Sequence, residues 1–212
     1  MNKTVKDAPE PSPLDEKPEW KIENVVATTT MEVEGGKIDL NDVARKHPDC
    51  EYNPERFPGL IMRFEDPKFT ALLFSTGKAV CTGLRSEDHV KRAVDAIIGK
   101  LKKAKINIIG DPVFKVQNIV ASGNVHSTVD LNEAAVVLDN SIYEPEVFPG
   151  LIYRVENSGG PRAVFLIFST GKVVCTGTKS KKDVGIAMER LGITLKDLGL
   201  SIEKSDVGME DI

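Results

Sequence analysis

The chain contains one long segment twice. Residues 74–83 read FSTGKAVCTG and residues 168–177 read FSTGKVVCTG, so the two blocks differ at one position and lie 94 positions apart. A unit of this length exceeds the roughly 20–50 residues of a solenoid repeat. The pattern therefore predicts two pseudo-symmetric halves of one globular protein, which present the same surface twice and favour a binding partner with approximate two-fold symmetry.

The duplication extends through most of the chain. Residues 57–61 (FPGLI) return as residues 148–152, and residues 24–27 (NVVA) return as residues 118–121 (NIVA). The two offsets differ because each half carries a glycine-containing insertion in a different place, and glycine-rich insertions are typical of turns.

Composition and repeat together predict four segments. Residues 1–19 are rich in proline and charge and poor in large apolar groups, which indicates disorder. Residues 20–110 form the first repeat, residues 111–200 form the second, and residues 201–212 form an acidic tail.

The formal net charge of −4 conceals an uneven distribution. Acidic residues concentrate in the two terminal segments, which leaves the body of the chain close to neutral. A neutral body is compatible with nucleic-acid binding without predicting it. No apolar run approaches the roughly 18 residues of a membrane span, and the first residues lack the apolar core of a signal peptide, so we expect a cytosolic protein.

The cysteines predict no metal or redox site. Cys81 and Cys175 occupy equivalent positions in the repeats between apolar and threonine residues, and Cys50 forms no CxxC pair with either. Buried strand thiols in a reducing cytosol are the simpler interpretation. We expect no metal and no cofactor.

Hydrophobic patterning predicts the same order of elements in both halves. In the first half, residues 21–33, 60–64, 70–75 and 78–82 are strands, while residues 39–44, capped by Asp39, and 86–103 are helices. The equivalent segments of the second half are 116–126, 131–138, 151–155, 163–169, 172–176 and 181–191. The hairpin turn at residues 75–78 lacks the GxxxxGK[ST] pattern of a phosphate-binding loop.

The strands predict an uncovered apolar surface. Leu72 and Phe74 share one face of their strand, and Ala71 and Leu73 share the other, because alternate strand residues point the same way. Each half supplies only two helices, enough to cover one face. An open sheet face is normally polar, so an apolar one indicates a binding site.

These motifs, together with residues 143–146 (YEPE), resemble the TATA-binding proteins, a family of general transcription initiation factors, and resemble its archaeal members more than its eukaryotic ones. The resemblance covers about residues 20–200. It implies an α+β saddle, in which two pseudo-symmetric repeats form a curved antiparallel sheet of about ten strands with four helices on the convex face.

The resemblance implies a function without catalysis. Members of this family are known to bind the minor groove of the TATA box and to bend it. They nucleate the preinitiation complex with transcription factor B and, indirectly, RNA polymerase. The implied partners are therefore double-stranded DNA and these proteins, with no membrane, in the nucleoid of an archaeal cell. The sequence is also compatible with a homodimer in the absence of DNA.

The resemblance also assigns residues to the DNA surface, each with its repeat equivalent. Hydrogen-bond donors to bases are Asn24, Asn118, Thr82 and Thr176; apolar contacts come from Val26, Leu72, Val80, Val120, Leu166 and Val174. Wedges between base pairs are Phe57, Phe74, Phe148 and Phe168, with Pro58 and Pro149 beside them. Phosphates are met by Arg63, Lys78, Arg154 and Lys172, and the turn residues Thr76 and Thr170 complete the set.

One difference between the halves is assigned to a protein partner. The loop before the second FPGLI carries Glu144, Glu146 and Val147, whereas the first-half loop has Asn53 and Arg56 in place of Glu144 and Val147. In the family this loop meets a basic surface of transcription factor B. Complementary charge would then fix the orientation of the complex.

Simpler interpretations exist for each residue type. A strand phenylalanine is ordinarily core, an asparagine can satisfy a strand edge, threonines are common in strands, and a lysine after a turn glycine is ordinarily solvated. Two rival functions also remain: a DNA glycosylase on a related fold, which would need a helical catalytic module for which these residues leave no room, and a small-molecule or lipid binder.

Overall fold

The computed structural model describes residues 17–156 and 160–202, in which both copies of the repeat fold in the same order. The first copy contains β1 (Glu19–Val33), α1 (Leu40–Lys46), β2 (Cys50–Glu51), β3 (Leu60–Glu65), β4 (Lys68–Leu73), β5 (Lys78–Leu84) and α2 (His89–Lys103). The second contains β6 (Ile108–Asn124), β7 (Thr128–Val129), α3 (Leu131–Val137), β8 (Ser141–Ile142), β9 (Leu151–Val155), β10 (Ala163–Ile167), β11 (Lys172–Thr178), α4 (Lys181–Asp197) and β12 (Ser201–Ile202).

Ten of these strands form one sheet. Their order is β2-β3-β4-β5-β1-β6-β11-β10-β9-β8, and β12 pairs separately with β7. The order reads the same from either end once each strand is exchanged with its repeat equivalent. Neighbouring strands within each copy pair antiparallel. The predicted two repeats, ten strands and four helices are therefore confirmed for the described residues.

Internal contacts divide the chain into two units that do not coincide with the repeats. Among the described residues, the first unit consists of residues 21–121 and 176–184, and the second of residues 17–20, 122–156, 160–175 and 185–202. The borders between units fall inside β1, β6, β11 and α4. The repeat border predicted at residues 110 and 111 is therefore a border of the duplicated sequence and not of these units.

Helix caps follow the repeat. The Asp39 carboxylate accepts hydrogen bonds from the backbone N–H groups of Asn41 (2.9 Å) and Asp42 (3.1 Å), which confirms the cap predicted for α1. Asp130 caps α3 in the same way. Capping satisfies N–H groups that have no partner within the helix, so the same short helix begins at the same place in both halves.

Three predicted boundaries differ from the observed ones by three residues or more. Helix α2 begins at His89, later than residue 86, because the Ser86 hydroxyl accepts from Asp88 N–H in a turn before the helix. Helix α4 continues to Asp197, past the predicted end at 191, because Leu195 is buried and extends its apolar side. Strand β6 begins at Ile108, before residue 116, although an exposed Asp111 and a proline weaken the strand pattern there.

The predicted terminal segments are described only in part. Residues 1–16 and 203–212 lie outside the described residues. Lys17, assigned from composition to a disordered segment, places its ammonium 2.9 Å from Glu189 Oε1 on α4, and β1 already begins at Glu19. Ser201–Ile202, the start of the predicted tail, form β12. Residues at the inner ends of both predicted terminal segments therefore take part in the fold, through strand pairing and an exposed ion pair.

Strand residues alternate between a buried face and a face that remains partly exposed. Ala71, Leu73, Ala79 and Cys81 of β4 and β5 are at most 1% exposed, and α2, which buries a stripe of apolar residues, packs against β5. The residues between them are half-exposed. We call this second surface the open face. The predicted apolar face without helical cover is therefore confirmed.

The turns between β4 and β5, and between β10 and β11, both require glycine. Phe74 N–H donates to Lys78 O, and Gly77 N–H donates to Phe74 O, with Gly77 at φ +80°. Gly77 O in turn accepts from Met31 N–H of β1. A Cβ on Gly77 would lie 2.1 Å from Met31 O, and the equivalent Gly171 meets Ser127 O in the same way. The predicted hairpin turns are confirmed, and they anchor to a neighbouring segment through backbone atoms.

Replacing Gly77 with alanine should therefore destabilise the fold. Positive φ in a non-glycine residue costs about 1–3 kcal/mol, and the contact with Met31 O adds to that cost. For a chain of this length each kcal/mol lowers Tm by about 2–4 °C. Gly99→Ala is the matched control, because no neighbouring atom lies within 4 Å of its Cβ and alanine is the better helix former in α2. Calorimetry that gave both variants the same Tm shift would contradict this description of the turn.

Candidate nucleic-acid interface

None of the residues that sequence analysis assigned to the DNA surface is buried, and each is either half-buried or exposed. The first unit carries Asn24, Val26, Phe57, Pro58, Arg63, Leu72, Phe74, Thr76, Lys78, Val80, Thr82, Asn118, Val120 and Thr176; the second carries Phe148, Pro149, Arg154, Leu166, Phe168, Thr170, Lys172 and Val174. Their strand neighbours, such as Val25, Ala27 and Cys175, are buried. The assigned strand residues therefore lie on the open face, and their neighbours form the core.

Asn24 is held by a network in the first unit. Its side-chain Oδ1 accepts a hydrogen bond from Gly83 N–H at 2.7 Å, and its Nδ2 lies 3.4 Å from Thr82 Oγ1. Because a backbone N–H can only donate, the Gly83 contact fixes which end of the carboxamide is oxygen. The amide NH₂ then has two hydrogens, of which the threonine hydroxyl accepts one. The other has no acceptor among the described residues.

A β-bulge in β5 creates this network. Val25 pairs with Leu84 and Ala27 pairs with Cys81, so β5 has one residue more than β1 between these pairs. The additional residue is accommodated at Gly83, whose φ is +92°. A bulge leaves one residue outside the ladder and turns its N–H away from the partner backbone. Here that N–H points to Asn24, so a backbone irregularity orients the side chain.

The same network occurs at Asn118. Its Oδ1 accepts from Gly177 N–H at 2.8 Å, its Nδ2 lies 3.1 Å from Thr176 Oγ1, and Gly177 has φ +89°. The simpler interpretation of these asparagines, satisfaction of a strand irregularity, therefore accounts for the oxygen of each carboxamide. It leaves the NH₂ group on the open face, where it can donate to a ligand.

The four assigned phenylalanines form two matching pairs. The ring centroids of Phe57 and Phe74 are 5.9 Å apart at 65°, and those of Phe148 and Phe168 are 5.9 Å apart at 66°. All four rings are half-exposed, which excludes the core interpretation. A Cβ on Gly59 would lie 2.6 Å from Phe57 Cε1, and Gly150 has the same relation to Phe148. The glycine of each FPGL segment therefore provides the space in which a ring pair lies.

A depression adjoins the first pair. It has a volume of about 620 Å³ and is lined by Thr28, Pro58, Phe74, Lys78 and Val80, among others. Its lining combines threonine and serine hydroxyls with the apolar side chains of Pro58, Phe74 and Val80 and the ammonium group of Lys78. This combination suits a ligand with flat apolar surfaces and negative charge at its border.

The basic residues differ in their surroundings. Lys78 and Lys172 are exposed at the hairpin turns, as predicted. Arg63 on β3 is exposed but forms an ion pair, with Nη1 2.6 Å from Glu51 Oε1. Arg154 on β9, its repeat equivalent, has no ion pair within residues 17–156 and 160–202. The sequence did not predict this difference between Arg63 and Arg154. Glu51 and Ile142 lie in two-residue strands, which are too short for a hydrophobic pattern to reveal.

The loops that precede the phenylalanines share a backbone turn and differ in side chains. Arg56 and Phe57 N–H donate to Asn53 O, and Val147 and Phe148 N–H donate to Glu144 O. Glu144 and Glu146 are exposed, and Val147 is 80% exposed. One backbone shape therefore presents different chemistry in the two halves.

Two kinds of residue on the open face were not assigned to the DNA surface from the sequence. Ile61 and Ile152 are half-exposed and pair directly with Leu72 and Leu166, so they extend the apolar surface toward the sheet edges. Gly83 and Gly177 provide the N–H groups that orient the asparagines. All four residues lie in the repeated FPGLI and FSTGK-V-CTG motifs, so the sequence singled them out. Only the backbone geometry shows that the two glycines orient the asparagines.

The described residues carry no sign of a catalytic or metal centre. Burial raises the pKa of the Cys81 thiol to about 11 and that of Cys175 to about 12, so both remain protonated at neutral pH. Within residues 17–156 and 160–202 no cluster of His, Cys, Asp or Glu could hold a metal ion. No helix in the same residues has the length and apolarity to cross a membrane.

Comparison with known proteins gives one answer. The family model described as "Transcription factor TFIID (or TATA-binding protein, TBP)" matches residues 19–104 and again residues 113–198. The TATA-box-binding protein of Pyrobaculum aerophilum is 48% identical over 195 residues, which cover 92% of this chain and 95% of that protein. That of Archaeoglobus fulgidus is 49% identical over 182 residues, which cover 85% and 96%. The solved structure of Methanococcus jannaschii TBP superimposes with a TM-score of 0.74 at 40% identity, covering 84% of this chain and 99% of that one.

Proposed function

The chain belongs to the TATA-binding protein family, and on that premise we propose that its open face binds and bends the minor groove of a TATA element to start assembly of a transcription complex. Membership in a family of non-enzymatic, DNA-binding transcription factors confirms the predicted fold class and the prediction that the chain is not an enzyme. The groove, the bending and the protein partners are the proposal. The observation that carries it is the repeated set of half-exposed apolar and amide-bearing residues on an otherwise uncovered face.

The chemistry of the open face matches an A·T minor groove. Both A·T and T·A present only acceptors there, adenine N3 and thymine O2. Asn24 and Asn118 direct NH₂ groups outward, and Thr82 and Thr176 carry hydroxyls beside them. The apolar residues around them, Val26, Val80, Val120 and Val174 with Leu72 and Leu166, would contact sugars and base edges. A G·C pair places the guanine N2 amino group in the groove, where these valine and leucine side chains offer no hydrogen-bond acceptor.

Bending follows from the phenylalanine pairs. Partial unstacking of a base step costs a few kcal/mol, and the flexible TA step lowers that cost. Two half-exposed rings at 5.9 Å can enter one step together, which distributes the cost over a large apolar contact. The two equivalent pairs would act on two steps, and Lys78, Lys172 and Arg154 would hold the flanking phosphates.

Base substitution tests the groove assignment. A duplex in which central A·T pairs are replaced by G·C should bind at least about tenfold more weakly for each pair changed. Replacement by inosine·cytosine should preserve binding, because inosine lacks the N2 amino group but otherwise presents the major-groove pattern of guanine. Gel-shift titrations at one salt concentration measure all three duplexes. Equal loss with inosine and guanine would contradict minor-groove readout, and equal binding to all three would contradict sequence-specific binding altogether.

The wedge assignment predicts a defect in bending. Phe148→Ala with Phe168→Ala should weaken TATA binding and reduce energy transfer between dyes at the two duplex ends. Tyr153→Phe, on the partly buried side of β9, is the matched control and should leave both measurements unchanged. A folded double variant, checked by circular dichroism, that bends DNA as the wild type does would refute the assignment.

The loop difference predicts where transcription factor B binds. Glu144→Arg with Glu146→Arg should abolish the ternary complex with transcription factor B and leave TATA binding nearly intact, because both side chains are exposed and outside the open face. Asn53→Arg with Glu55→Arg makes the equivalent change in the first-half loop. Formation of the ternary complex should persist in that control. A gel shift in which both double variants behave alike would refute the assignment to the second half.

A further inference from the structure

The open face differs between its two edge strands at one position. Glu51 on β2 pairs with Ile61 on β3, and Ile142 on β8 pairs with Ile152 on β9. Glu51 and Ile142 are repeat equivalents, and both are exposed. Each lies beside the arginine that would reach a phosphate, Arg63 in the first half and Arg154 in the second. One edge therefore carries a carboxylate where the other carries an apolar side chain.

The carboxylate engages Arg63. Arg63 Nη1 lies 2.6 Å from Glu51 Oε1, while the two side chains remain 54% and 63% exposed. An exposed pair of this kind contributes little to folding. It does occupy part of the guanidinium, and it sets a negative charge where a phosphate would arrive. A phosphate that approaches Arg63 therefore meets a local charge near zero.

Arg154 has no such neighbour. Its register partner on β10 is Val164, its backbone N–H donates to Asn140 O at 3.1 Å, and Ile142 is 46% exposed beside it. Charged partners for its guanidinium are absent from the described ranges 17–156 and 160–202. A phosphate at this edge therefore meets an exposed arginine whose guanidinium is not engaged by a carboxylate of the described residues.

We infer that Glu51 determines how strongly the first half attracts DNA phosphates, and that it makes the first half the electrostatically weaker end of a nearly symmetric surface. The inference rests on the proposed function, since it requires DNA on the open face. It supplies a direction that is built into the DNA surface itself and acts without any protein partner. Exchanging the two side chains, Glu51→Ile together with Ile142→Glu, would move the weaker end to the second half.

The salt dependence of DNA binding measures how strongly each half attracts phosphates. Each phosphate contact that releases a counterion contributes about one to the slope of log Kd against log salt. With the full chain and one TATA duplex, Arg154→Ala should lower the slope by about one, and Arg63→Ala by less than half as much. In the Glu51→Ile background the effect of Arg63→Ala should rise to about one. In the Ile142→Glu background the effect of Arg154→Ala should fall to that of Arg63→Ala in the wild type.

Glu65→Gln is the matched control. Glu65 is exposed on the same strand as Arg63, and its removal takes away the same charge without breaking an ion pair. It should leave the effect of Arg63→Ala unchanged. Glu51→Gln, which preserves side-chain size, provides a second variant if Glu51→Ile fails to fold, and it should act in the same direction.

The outcomes separate the two claims. Equal slope changes for Arg63→Ala and Arg154→Ala in the wild type would overturn the inference, as would a Glu65→Gln background that acts like Glu51→Ile. Both results leave TATA binding itself in place. A wild-type protein with no salt-dependent binding to the TATA duplex would overturn the proposed function and the inference together.

Discussion

Each half of this protein has two helices with which to cover the strands, and two helices cover one face. The longer strands are therefore divided along their length, with buried residues such as Ala71 and Cys81 on one side and Leu72 and Val80 on the open side. The buried side provides the hydrophobic stabilisation. The open side is apolar without being needed for the core, which is an unfavourable arrangement in water unless a ligand covers it.

Polar groups on the open face are held by the backbone rather than left to solvent. The bulge residue Gly83 and its repeat equivalent Gly177, which also has a positive φ, direct an N–H to the oxygen of Asn24 and Asn118, and the threonine before each glycine occupies one amide hydrogen. An amide oriented in this way loses little side-chain entropy on binding, because its rotamer is already selected. The duplication places the same pre-oriented donor in each half, so the two networks reinforce a ligand with near two-fold symmetry.

Much of this could be predicted from the sequence, and the misses have physical causes. The repeat, the Asp39 cap, the hairpin turns at Gly77 and Gly171 and the open-face residues follow from local patterns that occur twice. The start of β6 and the end of α4 do not, because tertiary contacts extend both elements past the residues with a clear period. Two-residue strands such as β2 and β8 have no period at all. The ion pair of Glu51 with Arg63 depends on β2 and β3 lying side by side, and no spacing along the chain reveals it.

The hydrogen bonds of Gly83 and Gly177 make their backbone amides useful in hydrogen-exchange experiments. Gly83 and Gly177 are exposed residues whose N–H groups nevertheless donate to a side chain, at 2.7 and 2.8 Å. Exposed amides normally exchange their hydrogen with solvent rapidly, and hydrogen bonding slows that exchange. The hydrogen-exchange rates of Gly83 and Gly177 thus depend on how Asn24 and Asn118 are held. A ligand that contacts one asparagine should change the exchange rate of the glycine that donates to it. The chain thereby contains two internal hydrogen-exchange probes, one per half, that can be followed separately by hydrogen–deuterium exchange.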